Sequence, residues 1–221
     1  MAGGGQGGKG LVLLKTIPLF SGVDDPQLEE IARVATSRRV SRGTVIVRAG
    51  DVTDSLYILV NGSARVLNSD EEGREVILSI LGPGDFFGEM GLIDGSPRSA
   101  DVVAAEVCDL LVISKSDFRK CLQENFEVAF NIMKRLVERL RDADRKIESL
   151  ALMDVYGRVA KLLLEFSDIE DGRRVVRRKL TKQDIAKMIG ASREMVSRVM
   201  KDLEGSGYIH VDDGRIVIDE N

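Results

Sequence analysis

Between Phe126 and Leu150 the apolar residues Phe126, Ala129, Met133, Leu136, Leu140, Ala143, Ile147 and Leu150 follow one another in alternating steps of three and four. A stripe with that spacing predicts one long helix carrying a narrow heptad seam. The residues between are mostly charged, among them Lys134, Arg135, Glu138, Arg139, Arg141, Asp142, Arg145, Lys146 and Glu148. A thin apolar seam on a charged helix is best satisfied by an identical helix. The competing reading is a long helix packed on its own domain. The chain before the stripe is patterned as one kind of domain and the chain after it as another. The helix is therefore expected to join two domains within the chain and two chains in a homodimer.

The 221 residues suffice for two small domains with separate cores. The formal charge of −4 argues against a general polyanion binder. It is unevenly spread: from Val155 onward 13 Lys and Arg face 12 Asp and Glu, a charge of +1, which leaves −5 on the first 154 residues. An anionic partner thus suits a local patch of the C-terminal part. Two cysteines without close spacing, Cys108 and Cys121, and a single His210 argue against a disulfide framework, a zinc site or an iron–sulfur cluster. No apolar run is long enough to span a bilayer, and MAGGGQGGKG lacks the apolar core of a signal peptide. Residues 1–10 are expected to form a disordered tail and the protein to be cytoplasmic.

Leu11 to Phe20 predicts a short helix and turn, and Asp24-Asp25-Pro26 a second helix start. The period then changes. Val45–Val47, Leu56–Val60, Ala64–Leu67, Val76–Leu81, Val102–Ala105 and Asp109–Ile113 are short, β-branched-rich runs separated by turn residues. Asn61-Gly62 is read as a hairpin turn. Such a series predicts an antiparallel barrel or jelly roll over residues 11–125, followed by the long helix and hinge over 126–153. Residues 154–221 predict a helix over Val155–Phe166, a polar turn over Asp168–Gly172, and a strand over Arg173–Leu180. Two short helices over Lys182–Ile189 and Arg193–Glu204 follow, then a closing hairpin, Tyr208–Val211 and Arg215–Ile218, turning at Asp212-Asp213-Gly214.

The two short helices have helix-turn-helix grammar. Thr181 can cap the first with Asp184 three residues on, Gly190 sits in the turn, and Ser192 can cap the second. On a helical wheel Val196, Val199, Met200 and Leu203 share one side. Arg193, Glu194, Ser197, Arg198 and Lys201 fall within about 140° on the other. Arg pairs with guanine in two-pronged fashion and Glu accepts from the cytosine amino group, so this face suits double-stranded DNA. A Glu194–Arg198 salt bridge four residues apart is the purely structural alternative.

GASREMVSRVMKDLE followed by a wing resembles the DNA-binding end of the CRP/FNR family, the catabolite activator group. LALMDVYGRVAKLL resembles the family's hinge and next helix, and GDFFGEMGLIDGSPRSADVVA its phosphate-binding cassette. The match runs from about Leu11 to Ile218. It implies an α+β chain with an N-terminal cyclic-nucleotide-binding antiparallel β-roll, a long dimerisation helix and a C-terminal winged helix-turn-helix. By resemblance Arg193, Glu194 and Arg198 would read a TGTGA-like half-site of a palindromic promoter, while Lys182, Gln183, Ser192 and Lys201 would hold phosphates. Met195 replaces a polar residue of the family.

In the first domain, Gly88 and Gly91 admit close approach of the backbone. Arg98 offers a permanent two-pronged cation, Ser99 a hydroxyl, and Glu89 an acceptor for a ribose hydroxyl. Singly these residues mean little. Together, and with Met90, they resemble a cyclic-nucleotide pocket walled by Val66, Leu78 and Leu81. Where the family's best-known members carry a Thr-Ser pair against the base, this chain has Ala143-Asp144. Asp144 is acceptor-only when ionised, which leaves cyclic AMP, cyclic GMP and cyclic di-GMP as candidate effectors. No resident cofactor, metal or catalytic constellation is expected, so the chain is not read as an enzyme. No cysteine precedes Cys108 to hold an oxygen-sensing cluster, and no His in the first domain could ligate a heme. The reading is a homodimeric regulator under cyclic-nucleotide control that works with RNA polymerase. The alternative is a constitutive regulator with a vestigial pocket.

Overall fold

The computed structural model describes residues 6–176, 180–212 and 215–219. The chain divides into two compact units, Met1–Arg139 and Leu140–Asn221. The division falls inside one helix, α5 (Phe126–Leu152), which is continuous.

In the first unit two helices come first, α1 (Gln6–Lys15) and α2 (Asp25–Val34), with a 3-10 turn over Pro18–Phe20 between them. Helical backbone thus begins inside the stretch expected to be a disordered tail. The low-propensity glycines there are carried by the apolar end of α1, where Leu14 is buried in the core. Asp24 caps α2 by accepting from the Gln27 amide.

Eight strands follow in two antiparallel sheets. The first contains β1 (Thr36–Val40), β8 (Cys108–Ser114), β3 (Ser55–Asn61) and β6 (Phe86–Phe87), in that order across the sheet. The second contains β2 (Val45–Val47), β7 (Asp101–Ala104), β4 (Ala64–Ser69) and β5 (Glu75–Leu81). One apolar core lies between the sheets and takes Tyr57, Leu59, Leu81, Phe87, Val102 and Leu110. The alternate residues Leu56, Ile58, Phe86, Leu111 and Ile113 form a second core with α1, α2, α4 (Lys115–Glu124) and the start of α5. Strand β3 is buried on both faces because it separates these two cores.

Asn61-Gly62 is not a hairpin turn. Strand β3 pairs with β6 and β8, whereas β4 pairs with β5 and β7, so the dipeptide turns the chain from one sheet to the other. Gly62 has φ +90°, and a Cβ there would overlap the Val107 carbonyl. The glycine serves a close crossing between sheets rather than a tight reversal within one. Three elements carry no distinct signal in the sequence: β1, the two-residue β6, and the short helix α3 (Glu89–Asp94).

The second unit contains the rest of α5, then α6 (Val155–Glu165), β9 (Ser167–Glu170), β10 (Arg173–Val176), α7 (Lys182–Ile189), α8 (Arg193–Gly205), β11 (Ile209–Asp212) and β12 (Arg215–Ile218). The four strands form one antiparallel sheet in the order β11-β12-β10-β9. Most of the expected turn over Asp168–Gly172 is in fact strand β9, and the reversal is confined to Asp171 (φ 49°) and Gly172 (φ 78°). The strand expected through Leu180 does not reach it, since Leu180 lies outside any strand; residues 177–179, and the wing turn at Asp213-Gly214, lie outside the described residues. Val159, Leu163, Ile185, Val196, Met200 and Leu203 form the core.

Candidate functional site

Strands β4, β5 and β7, with the segment from Phe87 to Gly91, enclose a cavity of about 190 Å³. Its apolar walls are Val47, Val66, Leu78, Leu81, Phe87 and Val102, and its polar lining is Ser79, Glu89, Arg98, Ser99 and Arg139. Every expected ligand residue of the β-roll is here: Gly88, Glu89, Met90, Arg98, Ser99, Val66, Leu78 and Leu81.

Two oppositely charged side chains are buried at this cavity. The Arg98 guanidinium donates to the carbonyls of Gly88 (3.0 Å) and Ser55 (2.8 Å). It also lies over the Tyr57 ring, 5.6 Å from its centroid, and Tyr57 in turn stacks on Phe87. Gly88 is left-handed (φ +87°), and a Cβ on it would overlap Arg98 Nη1. A second glycine requirement falls at Gly91, where a Cβ would overlap the Ser96 carbonyl and the Thr53 hydroxyl. Thr53 Oγ1 itself donates to the Ser96 carbonyl at 3.1 Å, which closes the cassette loop on the turn after β2. Ser99 keeps its hydroxyl at the cavity, where it donates to the Met90 sulfur at 3.8 Å.

Glu89 Oε1 accepts from Arg139 Nη1 at 2.6 Å, and Arg139 Nη2 donates to the Phe86 carbonyl. One turn earlier on α5, Arg135 pairs with Asp85. Burial works against the Arg135 charge, but the Asp85 and Glu138 carboxylates beside it outweigh that and hold its pKa above the ordinary arginine value. By spacing alone Arg139 is a charged flank of the heptad stripe. Its selection by Glu89 is a contact across 50 positions, which no local pattern signals. Ala143 and Asp144 do not line the cavity. They stand exposed on α5, in the second unit.

The heptad stripe also needs a correction. Val128 and Ile132 are buried in the β-roll's own core, and Leu136 packs against it. The exposed apolar residues are Phe126, Phe130, Met133, Val137 and Leu140, continued by Ile147 and Leu150. Phe126 and Phe130 stack at 6.0 Å. The uncovered apolar stripe thus carries Phe130 and Val137 in place of Ala129 and Leu136. Both sets have heptad spacing, and only the docking of α5 on the β-roll decides which one is left uncovered.

In the second unit the helix-turn-helix has the expected local chemistry. Thr181 Oγ1 accepts from the Asp184 amide, and Asp184 accepts from the Thr181 amide, a complete capping box. Gly190 is left-handed (φ 63°) and ends α7. Ser192 Oγ accepts from the Met195 amide and starts α8. Arg193, Glu194, Arg198 and Lys201 are exposed, as are Lys182, Gln183 and Ser192; Ser197 is half-buried beside them. No ion pair joins Glu194 to Arg198 among the described residues, so their charged ends face solvent. Arg158, on α6, donates to the Ile189 carbonyl at 2.9 Å and seats a cation on the C-terminal end of α7. No helix among the described residues is long and apolar enough to cross a membrane.

Residues 37–125 match the model of the cyclic nucleotide-binding domain, and residues 157–220 that of the Crp-like helix-turn-helix domain. The cAMP-activated global transcriptional regulator Vfr of Pseudomonas aeruginosa is 37% identical over 201 residues, covering 86% of this chain and 92% of Vfr. The c-di-GMP responsive global regulator CLP of Xanthomonas campestris is similar in structure, with TM-score 0.77 at 28% identity over 90% of this chain and 100% of that one. The catabolite activator protein of Thermus thermophilus aligns at TM-score 0.56 and 31% identity over 92% of this chain and 94% of that one.

Proposed function

Because the chain belongs to the CRP/FNR family of transcription regulators, we propose that a cyclic nucleotide bound in the β-roll cavity controls its affinity for promoter DNA. One observation carries this reading: Glu89 and Arg98 are both buried, yet both line an open cavity. Burying ionic groups is costly unless each is paired and hydrogen-bonded. Their joint burial at a cavity fits a ligand with an anionic end and hydroxyl donors. In this reading Arg98 and Ser99 hold the cyclic phosphate. Glu89 accepts from a ribose hydroxyl and is oriented by Arg139. Val66, Leu78 and Leu81 wall the ring, with Met90 at the rim.

Cyclic AMP is the first candidate, since Vfr is cAMP-activated. CLP responds to c-di-GMP, which supports testing that dinucleotide alongside cyclic GMP.

The DNA-reading face is α8. Arg193, Glu194 and Arg198 read base edges, and Lys182, Gln183, Ser192, Ser197 and Lys201 hold or flank the backbone. The exposed seam of α5 supports a homodimer, and two copies of α8 then suit a palindromic site in the cytoplasm, where RNA polymerase is the further partner. The test is calorimetric titration with cyclic AMP, cyclic GMP and cyclic di-GMP, followed by fluorescence anisotropy on promoter DNA. Binding of one nucleotide should raise DNA affinity, and Arg98→Leu should abolish the rise. Equal DNA affinity with and without every nucleotide would make the chain a constitutive regulator.

A further inference from the structure

The ion pairs that touch the cavity are built in opposite senses. In Glu89–Arg139 the acid is the fixed member, with its side chain 2% exposed against 29% for the arginine. In Arg98–Asp54 the cation is fixed: Arg98 is 5% exposed, whereas the Asp54 side chain is 76% exposed. Arg98 Nη2 meets Asp54 Oδ1 at 3.4 Å, beside its shorter bond to the Ser55 carbonyl. Among the described residues Asp54 is the one carboxylate within ion-pair distance of Arg98. Neutral carbonyls and the Tyr57 ring hold the guanidinium in place, so Asp54 is not needed to position it.

From this asymmetry we infer that Asp54 sets the affinity of the cavity by competing with the anionic end of the ligand for Arg98. The inference rests on the cyclic-nucleotide reading above. A phosphate that reaches Arg98 from the cavity must share the guanidinium with the Asp54 carboxylate, which repels it as a like charge. Being mostly exposed, Asp54 can swing into water, so the opposition is graded rather than blocking, and dissolved salt screens it. The backbone of Asp54 has a separate role, since its carbonyl accepts from the Lys115 amide at 2.8 Å and joins the cassette side of the sheet to α4. That bond survives a change of side chain. Asp54 thus tunes ligand affinity from outside the cavity lining, and a neutral residue there gives a regulator that responds at lower nucleotide concentration.

The experiment is calorimetric titration of full-length wild type and Asp54→Asn with cyclic AMP, cyclic GMP and cyclic di-GMP at low and high salt. Thermal melting of both proteins checks the fold. Asp54→Asn should bind about two- to fivefold more tightly at low salt, with the gain shrinking at high salt. The nucleotide concentration giving half-maximal DNA binding should fall by the same factor. Glu71→Gln, an exposed carboxylate in the β4–β5 turn, controls for net charge and should leave affinity unchanged. Equal or weaker binding by a folded Asp54→Asn overturns the inference, as does a matching gain from Glu71→Gln. If neither wild type nor variant binds any of the three nucleotides, the cyclic-nucleotide reading itself falls. Nucleotide binding by wild type with no gain in Asp54→Asn removes the inference alone.

Discussion

Gly88 does two things at the cavity: it holds a left-handed backbone and leaves room for the Arg98 guanidinium. Gly88→Ala therefore adds backbone strain and displaces the Arg98 guanidinium, the proposed anion-binding group, together. Nucleotide affinity should fall by about tenfold or more in calorimetric titration, equivalent to about 1.4 kcal/mol. Unchanged affinity would show that Arg98 is not the anion-binding group. The two thiols make a different point. Burial lifts Cys121 to about 11 and raises Cys108 as well. A thiol whose pKa is raised by folding contributes its full stability below the unfolded value, about 8.5, and loses it as pH climbs toward the folded value. The melting temperature should decline between about pH 8.5 and 11. Whatever Cys121→Ala does to the melting temperature at neutral pH, it should flatten that decline; an unaltered slope would assign the effect to other groups.

Helix α5 shows how one element serves two surfaces. Its Val128–Ile132–Leu136 side completes the β-roll core, and its Phe126–Phe130–Met133–Val137–Leu140 side is exposed. Neighbouring residues should then give different failures when made ionic. Val137→Glu should yield folded monomers in analytical ultracentrifugation, whereas Leu136→Glu should lower the melting temperature of the first unit. The reverse pattern would restore the heptad assignment expected from spacing alone. The helix-turn-helix offers a second check at this scale. Thr181 closes a reciprocal capping box on α7, so Thr181→Ala should cost about 1 kcal/mol in urea unfolding.

For the whole molecule, a net charge of −4 and a local cationic face make DNA binding a matter of placement rather than bulk attraction. Lys201→Ala should lower the slope of log affinity against log salt by about 1, uniformly over sequences. Arg193→Ala should instead cost about 1–3 kcal/mol on the cognate half-site and relax specificity there. Nucleotide control asks for only ~1–3 kcal/mol of coupling between ligand and DNA. The helix-turn-helix was legible in the sequence because Thr181, Asp184, Gly190 and Ser192 act on their own backbone neighbours, and such chemistry depends on spacing alone. The Gly88–Arg98 cassette was legible only through its resemblance to the family's phosphate-binding motif, and that motif located most of the cavity lining. Pairings between distant segments were not legible. Asn61-Gly62 has the composition of a hairpin turn, but a crossing under Val107 makes it a link between sheets. Arg139 has the composition of a solvated flank until β6 and the cassette present Glu89 and the Phe86 carbonyl to it. The sequence by itself determined the identity and order of most elements and their caps, since these follow from local backbone chemistry and periodicity. Only the tertiary structure decided which face of α5 stays uncovered, which arginine completes Glu89, and which carboxylate faces Arg98, because packing chooses one among several locally equivalent partners.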